Sequence, residues 1–304
     1  MKLNAPSTLF GTFWLCALLL LPGGVCASEA LGANVHAQIR VKGSDTLAKL
    51  LKEWAHVYQT QNQKNPIRIE VSGGGSGNGI AALLNGHVEI AASSRLLRDR
   101  EVLLFTKKHI QAAPVAHVVA QDAVTILVHP SNPINGLSLP QLTEIYSKGN
   151  PLLSWSSLGV RIPGCPDQKI QPISRKNNSG TYLFFRQAIL NKNEQFDPQL
   201  LSLDASDGVV NMVAQMPCAI GYSGMAFVTN AVKTLCISTL HEADAPCVPP
   251  TTASTVDHTY PLSRSLYLYT LGEPQGEIKK FLEWIRSAAG QEILTRNGYI
   301  PPPP

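Results

Sequence analysis

Apolar residues recur along the chain in two rhythms. QIRVKG (38–43), PIRIEVSG (66–73) and VEIAASS (88–94) are short β-rich runs and predict strands. Between the first two, TLAKLLKEWAHVYQ (46–59) sets Leu47, Leu50, Leu51, Trp54, Val57 and Tyr58 at the spacing of one helix face. IAALLNG (80–86) predicts a short helix ended by Gly86. Farther along, the β-branched DAVTILVHP (122–130) predicts a strand whose Pro130 opens a loop, and LPQLTEIYSKG (139–149) a helix with a glycine stop. KIQPISRKN (169–177) leads into the helix GTYLFFRQAIL (180–190). AIGYSG (219–224) and SLYLYT (265–270) predict strands, and GEIKKFLEWIRSAAG (276–290) a single closing helix.

Strands alternating with helices predict an α/β sheet protein. The pattern is compact from 38 to 120, carries insertions and proline-rich loops from 121 to about 260, then returns to its first character in SLYLYT and the last helix. A chain that leaves one domain, builds a second and comes back makes two lobes joined by crossing strands. The expected division is 28–120 plus 262–304 for lobe I and 121–261 for lobe II, with a ligand cleft between them. Beyond a terminal PPPP there is no repeat or low-complexity tract.

Composition narrows the class. At 304 residues and 44% hydrophobic content the chain can bury a real core without metals. Its net charge of +4 is scattered, which argues for anionic partners only weakly and against a nucleic-acid surface. Lys2, the apolar FWLCALLLL (13–21), PGG and Val25-Cys26-Ala27 form a secretory signal, so residues 1–27 are expected to be cut away after Ala27. Val25 before Cys26 does not suit a lipoprotein. No later run reaches the roughly 18 apolar residues of a membrane span, and the expected location is the periplasm. Export permits disulfides among Cys165, Cys218, Cys236 and Cys247, with three pairings open and a local Cys236–Cys247 staple plausible. Neither C-x-x-C nor His-rich spacing accompanies them, so no metal and no cofactor are expected.

Three strand-to-helix corners share one chemistry: GSDTL (43–47), GGGSGNGI (73–80) and RKNNSGTY (175–182). Each puts Ser or Thr where a helix begins, and there unpaired N–H groups and a partial positive charge suit an anion. Glycine lets backbone approach a ligand closely, making the second corner a nest of donors. Taken singly, each corner is an ordinary N-cap. Three together, with Arg175 four residues before Ser179, point to an oxyanion site.

Other motifs fail on spacing. After Gly79 come Ile80-Ala81 where a Walker loop needs Lys then Ser or Thr, and G-x-G-x-x-G ends at Asn78 or Ile80. G-x-S-x-G breaks at Asn78 and at Met225. No serine has a recognisable His and acid arrangement.

The stretches GSDTL, VSGGGSGNGI, EIAASSR, ISRKNNSGTYLFF and AIGYSGMAF, in this order, resemble the PstS-like phosphate-binding proteins of bacterial ABC importers. NPINGLSLPQLTEIYSKG and PLSRSLYLYT with GEIKKFLEWIRSAAGQEIL extend the resemblance over essentially the whole mature chain. It implies the two-lobe periplasmic-binding-protein fold, with phosphate in the cleft and delivery to a membrane permease with its ATPase. A monomeric carrier without enzymatic turnover is expected. By matching motifs it implies ligation by Thr46, the Leu47 backbone, Ser76, Arg175, Ser179, Gly180 and Thr181, and Ser44 at the same first corner joins them. One departure stands out: where better-known members carry an aspartate that accepts the proton of hydrogen phosphate, this chain has Ser94, then Arg95. Asp45 is a candidate acceptor. Arg95 is either a second cation or a partner of Asp99 at i+4. Competing functions are a carrier of sulfate, molybdate or tungstate, a secreted phosphate-ester hydrolase, and a ligand-sensing partner of a membrane receptor.

Overall fold

The computed structural model describes residues 37–108, 112–149, 154–191, 194–240 and 246–303. The secretory signal read at 1–27 and the last proline lie outside the described residues.

Alternation in QIRVK turns Ile39 and Val41 inward from β1 (Ala37–Gly43), which pairs in parallel with β2 (Ile67–Ser72) and β3 (Ile90–Ser93). Parallel neighbours need crossovers, supplied by α1 (Asp45–Gln61) and α2 (Ser76–Leu84). After α3 (Asp99–Lys108) the chain enters β4 (Pro114–Val128). Then come β5 (Gly136–Ser138), α4 (Leu139–Tyr146), β6 (Gln171–Arg175), α5 (Gly180–Ile189) and β7 (Leu201–Leu203). α6 (Ser206–Gln215), β8 (Ala219–Gly224), β9 (Lys233–Ser238) and α7 (Thr252–Val256) follow. β10 (Ser263–Leu271), α8 (Gly276–Arg286) and α9 (Ala288–Arg296) finish the fold.

The strand order is β2-β1-β3-β10-β4-β8-β6-β7, with β9 on β4 and β5 on β9. The first stretch of β4, Pro114 to Ala123, runs antiparallel to β10; the rest, Val124 to Val128, runs antiparallel to β8. One strand therefore belongs to both lobes. Its side chains divide accordingly. Val119 and Ala120 pack with Ile39, Trp54, Leu268 and Phe281, whereas Ala123, Val124, Ile126 and Val128 pack with Tyr146, Phe185, Tyr222 and Leu262. Between the two cores lie Gln121 and Asp122, both buried. The chain makes the α/β two-lobe arrangement with crossing strands that its pattern led one to expect.

Several boundaries differ from the sequence reading. α2 starts at Ser76, four residues before the expected Ile80, because the glycine-rich stretch is itself the first helical turn. β4 starts at Pro114 instead of Asp122, since His117 and Gln121 interrupt its apolar run yet are buried, His117 against Thr270 Oγ1 at 2.9 Å. The expected single closing helix is two. Ser287 adopts extended backbone (φ −69°, ψ 166°), ending α8 and capping α9 through Gly290 N. α3 went unread because Val102, Leu103 and Leu104 are exposed and only Glu101 and Phe105 are buried, which leaves no apolar face to detect.

Two disulfides tie the structure, Cys165–Cys218 and Cys236–Cys247, closing separations of 53 and 11 residues. The chain-entropy account makes the longer closure worth more, about 4 against about 3 kcal/mol. Urea unfolding of Cys165→Ala/Cys218→Ala is therefore expected to show the larger loss, and a larger loss for Cys236→Ala/Cys247→Ala would refute that account.

Candidate functional site

Three helices begin at one place. Ser44 lies just before α1, its backbone N–H donating to Ala92 O at 2.9 Å, while its hydroxyl is buried and has no partner among the described residues. Leu47 N turns back to Ser44 O at 3.1 Å, and the hydroxyl of Tyr299 donates to Thr46 O, bracing this turn from the C-terminal end of the chain. α2 starts after Gly75, whose φ of +88° is the left-handed region that glycine supplies without strain. α5 is capped by Ser179, whose Oγ accepts from Tyr182 N at 3.3 Å.

The corners meet across the lobes. Thr46 Oγ1 and Thr181 Oγ1, both buried, lie 3.1 Å apart. Ser76 Oγ accepts from Ser94 N at 3.1 Å and sits 3.4 Å from Ser94 Oγ. Gly180 faces this pair so closely that a Cβ there would stand 2.2 Å from Ser76 Oγ and 2.4 Å from Ser94 Oγ. Beside it, Asn178 clasps the glycine loop: its carbonyl accepts from Gly77 N at 3.1 Å and its amide donates to Gly74 O at 2.9 Å. Dipoles of three helix starts and hydroxyls from four segments thus converge in one buried volume.

The cations are more constrained than the sequence indicates. Arg175 is buried, with Nη1 donating to Ser206 Oγ at 2.7 Å, Nη2 to Asp204 O at 2.6 Å and Nε to Leu203 O at 3.3 Å. Asp45 Oδ2 stands 3.4 Å from Arg175 Nη2, and Asp45 Oδ1 accepts from Gly74 N at 2.8 Å. Desolvation lowers the Arg175 pKa and Asp45 opposes it. Arg95 departs from the expected pairing with Asp99. Its guanidinium forks onto Glu101 at 2.8 and 2.9 Å, not onto Asp99, and its side chain is buried instead of lying on a solvated face. Glu101, N-terminal in α3 and also held by Arg98, outbids Asp99 because its side chain turns inward. Burial pushes the Glu101 carboxyl up, but the hydrogen bonds from Arg95 and Arg98 prevail and hold it at about 2.

Sequence reasoning missed two residues here. Arg264, on β10, lies in register with Asp122 on β4. Its Nε and Nη2 donate to Asp122 Oδ2 at 3.0 and 2.7 Å, and its Nη1 reaches Thr181 Oγ1 at 3.1 Å and Ser94 O at 3.3 Å. Asp122 Oδ1 accepts from Met225 N at 3.1 Å. Complete burial pushes the Asp122 carboxyl above its ordinary range, against the pull of Arg264. The available signal was a lone charge in each of two apolar strand sequences, which burial allows only when paired.

Hydroxyl, amide and guanidinium donors without a reactive nucleophile can hold an oxyanion. Among the described residues, none of these hydroxyls is hydrogen-bonded to a histidine.

A family model described as a PBP superfamily domain matches residues 28–289. The phosphate-binding protein PstS of Pseudomonas aeruginosa is 31% identical over 95% of this chain and 94% of its own length. PstS of Bacillus subtilis is 29% identical over 86% of this chain and 80% of its own. Among solved structures, an ABC-type phosphate transport receptor from Vibrio cholerae superposes with a TM-score of 0.68 at 27% identity, covering 87% of this chain and all of that one. A Clostridium perfringens protein crystallised with bound phosphate gives 0.75 at 24% identity, covering 88% and 100%, a likeness of fold.

The Arg95–Glu101–Arg98 cluster sets an acid limit. Glu101 titrates at about 2 in the fold against an ordinary 4.5. Its contribution, on the order of 3 kcal/mol by linkage, is therefore fully present above pH about 4.5 and lost as pH falls toward 2. Glu101→Gln is expected to lower the urea midpoint at pH 7 and to flatten its decline between pH 5 and 2.5. An unchanged acid limb would show that the cluster does not set it.

Proposed function

The chain belongs to the PstS family of phosphate-binding proteins within the PBP superfamily, and we propose that it captures inorganic phosphate and delivers it to an ABC importer. The observation that carries this reading is the meeting of α1, α2 and α5 at their N-termini, where Thr46 and Thr181 of opposite lobes stand 3.1 Å apart. A tetrahedral oxyanion replaces that hydroxyl contact and draws donors from both sides. Its ligands are the hydroxyls of Ser44, Thr46, Ser76, Ser94, Ser179 and Thr181 with the amide of Gly180, and Arg175 supplies charge from beside the third corner. The unpartnered, buried Ser44 hydroxyl fits such a role. Arg95 is left out, since Glu101 holds both of its Nη atoms.

Charge-assisted hydrogen bonds contribute roughly 1.5–3 kcal/mol each, and micromolar affinity needs about 8 kcal/mol net. Several donors therefore suffice after desolvation. Asp45 is the acceptor for the proton of hydrogen phosphate, being the carboxylate that joins the first two corners and reaches Arg175. The lobes part on β4 and just before β10, giving 28–120 plus 262–304 and 121–261. Binding favours the shut form, whose shape the permease reads. The mature chain works in the periplasm as a monomer and does no chemistry on its ligand. No helix among the described residues is long and apolar enough to cross a membrane.

Calorimetry of the mature protein against phosphate, sulfate and molybdate tests this. Tight phosphate binding with weak sulfate binding is expected; preference for sulfate or molybdate would overturn the choice of ligand. Asp45→Asn is expected to narrow the gap between phosphate and sulfate, and unchanged isotherms would remove Asp45 from proton recognition. Gly180→Ala, whose methyl has nowhere to go between Ser76 and Ser94, is expected to weaken phosphate by at least about tenfold, near 1.4 kcal/mol.

A further inference from the structure

We propose that Arg264 is a positioning residue of the anion seat: anchored by Asp122 on the strands shared between the lobes, it fixes Thr181 as a hydrogen-bond donor to the bound oxyanion. The inference rests on the reading of this site as an anion seat and adds a residue and a mechanism to it.

A guanidinium presents its donors in a rigid fork. Nε and Nη2 are committed to Asp122 Oδ2 at 3.0 and 2.7 Å, which fixes the plane of the group. Nη1, on the other edge, donates to Thr181 Oγ1 at 3.1 Å and Ser94 O at 3.3 Å. The Phe184 ring, one turn along α5 from Thr181, lies 5.5 Å from Arg264 Cζ and closes another side. Both charged side chains are at most 2% exposed, so water does not compete for these bonds.

A hydroxyl has one proton to give and two lone pairs to accept with. Once Thr181 Oγ1 accepts from a cation that cannot accept in return, its own proton must turn elsewhere. Among the described residues its other polar neighbour is Thr46 Oγ1 at 3.1 Å, in the seat. Arg264 thus makes a hydroxyl of either polarity into a donor and polarises it, without giving up its own counter-ion. Asp122 is bonded in turn to Met225 N, in the turn that follows β8, so the same ion pair ties the seat to the crossing strand and to the second lobe.

A structural ion pair would also be buried and would also matter for stability, so the test must separate the two roles. Phosphate affinity is measured by calorimetry for wild type, Arg264→Met, Thr181→Val and the double variant, with urea midpoints alongside. Arg264→Met is expected to weaken phosphate by about tenfold or more, and the double variant to be no weaker than the worse single change, because both remove the same donor. Additive losses would overturn the mechanism. Since Arg264→Met leaves Asp122 buried without a counter-ion, Arg264→Met/Asp122→Leu is the second arm: an apolar pair of this kind commonly regains stability. It is expected to regain the midpoint but not the affinity, and wild-type affinity in it would make the pair purely structural. Arg264→Lys, which keeps the charge but not the fork, is expected to recover part of the affinity; no recovery beyond Arg264→Met would overturn the role of the charge. Should wild type prefer sulfate or molybdate, the choice of phosphate fails while the same cycle run with that anion still judges Arg264. Wild type that takes none of the three anions overturns both.

Discussion

β4 is obliged to serve two hydrophobic cores, and a carboxylate sits at the point where it passes from one to the other. Asp122 is fully buried between Ala120, which packs into the first core, and Ala123, which packs into the second. A buried charge without a counter-ion is far too unfavourable to persist. Arg264 must therefore come to it, and the register of β10 against β4 brings it directly opposite. Gln121, the other polar residue of the crossing, is fixed by reciprocal backbone bonds to Ile300 at 2.8 and 3.2 Å. Once these partners are set, the exit direction of both crossing strands is set too, and with it the line along which the helix starts face one another.

Charge is handled in the same way throughout the site. Arg264 has Asp122, Arg95 has Glu101, and Arg175 has Asp45 together with the carbonyls of Leu203 and Asp204. No arginine there is left with a large uncompensated field. In the proposed seat the attraction for an anion then comes mainly from oriented dipoles, those of the helix N-termini and the hydroxyls. A seat built so is suited to grip and to release, since neither state strands a bare charge.

The parts of the site legible in the sequence are those whose meaning is local. GSDTL, SGGGSGNG and RKNNSGT announce helix starts through residues that act within three or four positions of themselves, and the structure brings all three corners together. The Cys236–Cys247 staple is legible for the same reason, while the Cys165–Cys218 pair, 53 residues apart, carries no local signal of its own and follows only once that staple is assigned. Arg264 and Asp122 are 142 residues apart, and only strand pairing makes them neighbours. Arg95 was misread by applying a helical i+4 rule where the backbone is not yet helical; its partner is six residues on, inside α3. The start of α2 was hidden because glycine, a poor helix former, occupies its first turn for reasons of close approach.

Both disulfides fall between residues 165 and 247, on the side of β4 that carries the insertions. Among the described residues the other side, with β1, β2, β3 and the terminal helices, carries no disulfide and is held by packing, hydrogen bonds and ion pairs such as Arg40–Glu89 and Arg95–Glu101. The two halves accordingly ask different things of their surroundings. The described contacts of one side need no oxidant, while the other forms its two staples only where an oxidant can take electrons from four thiols.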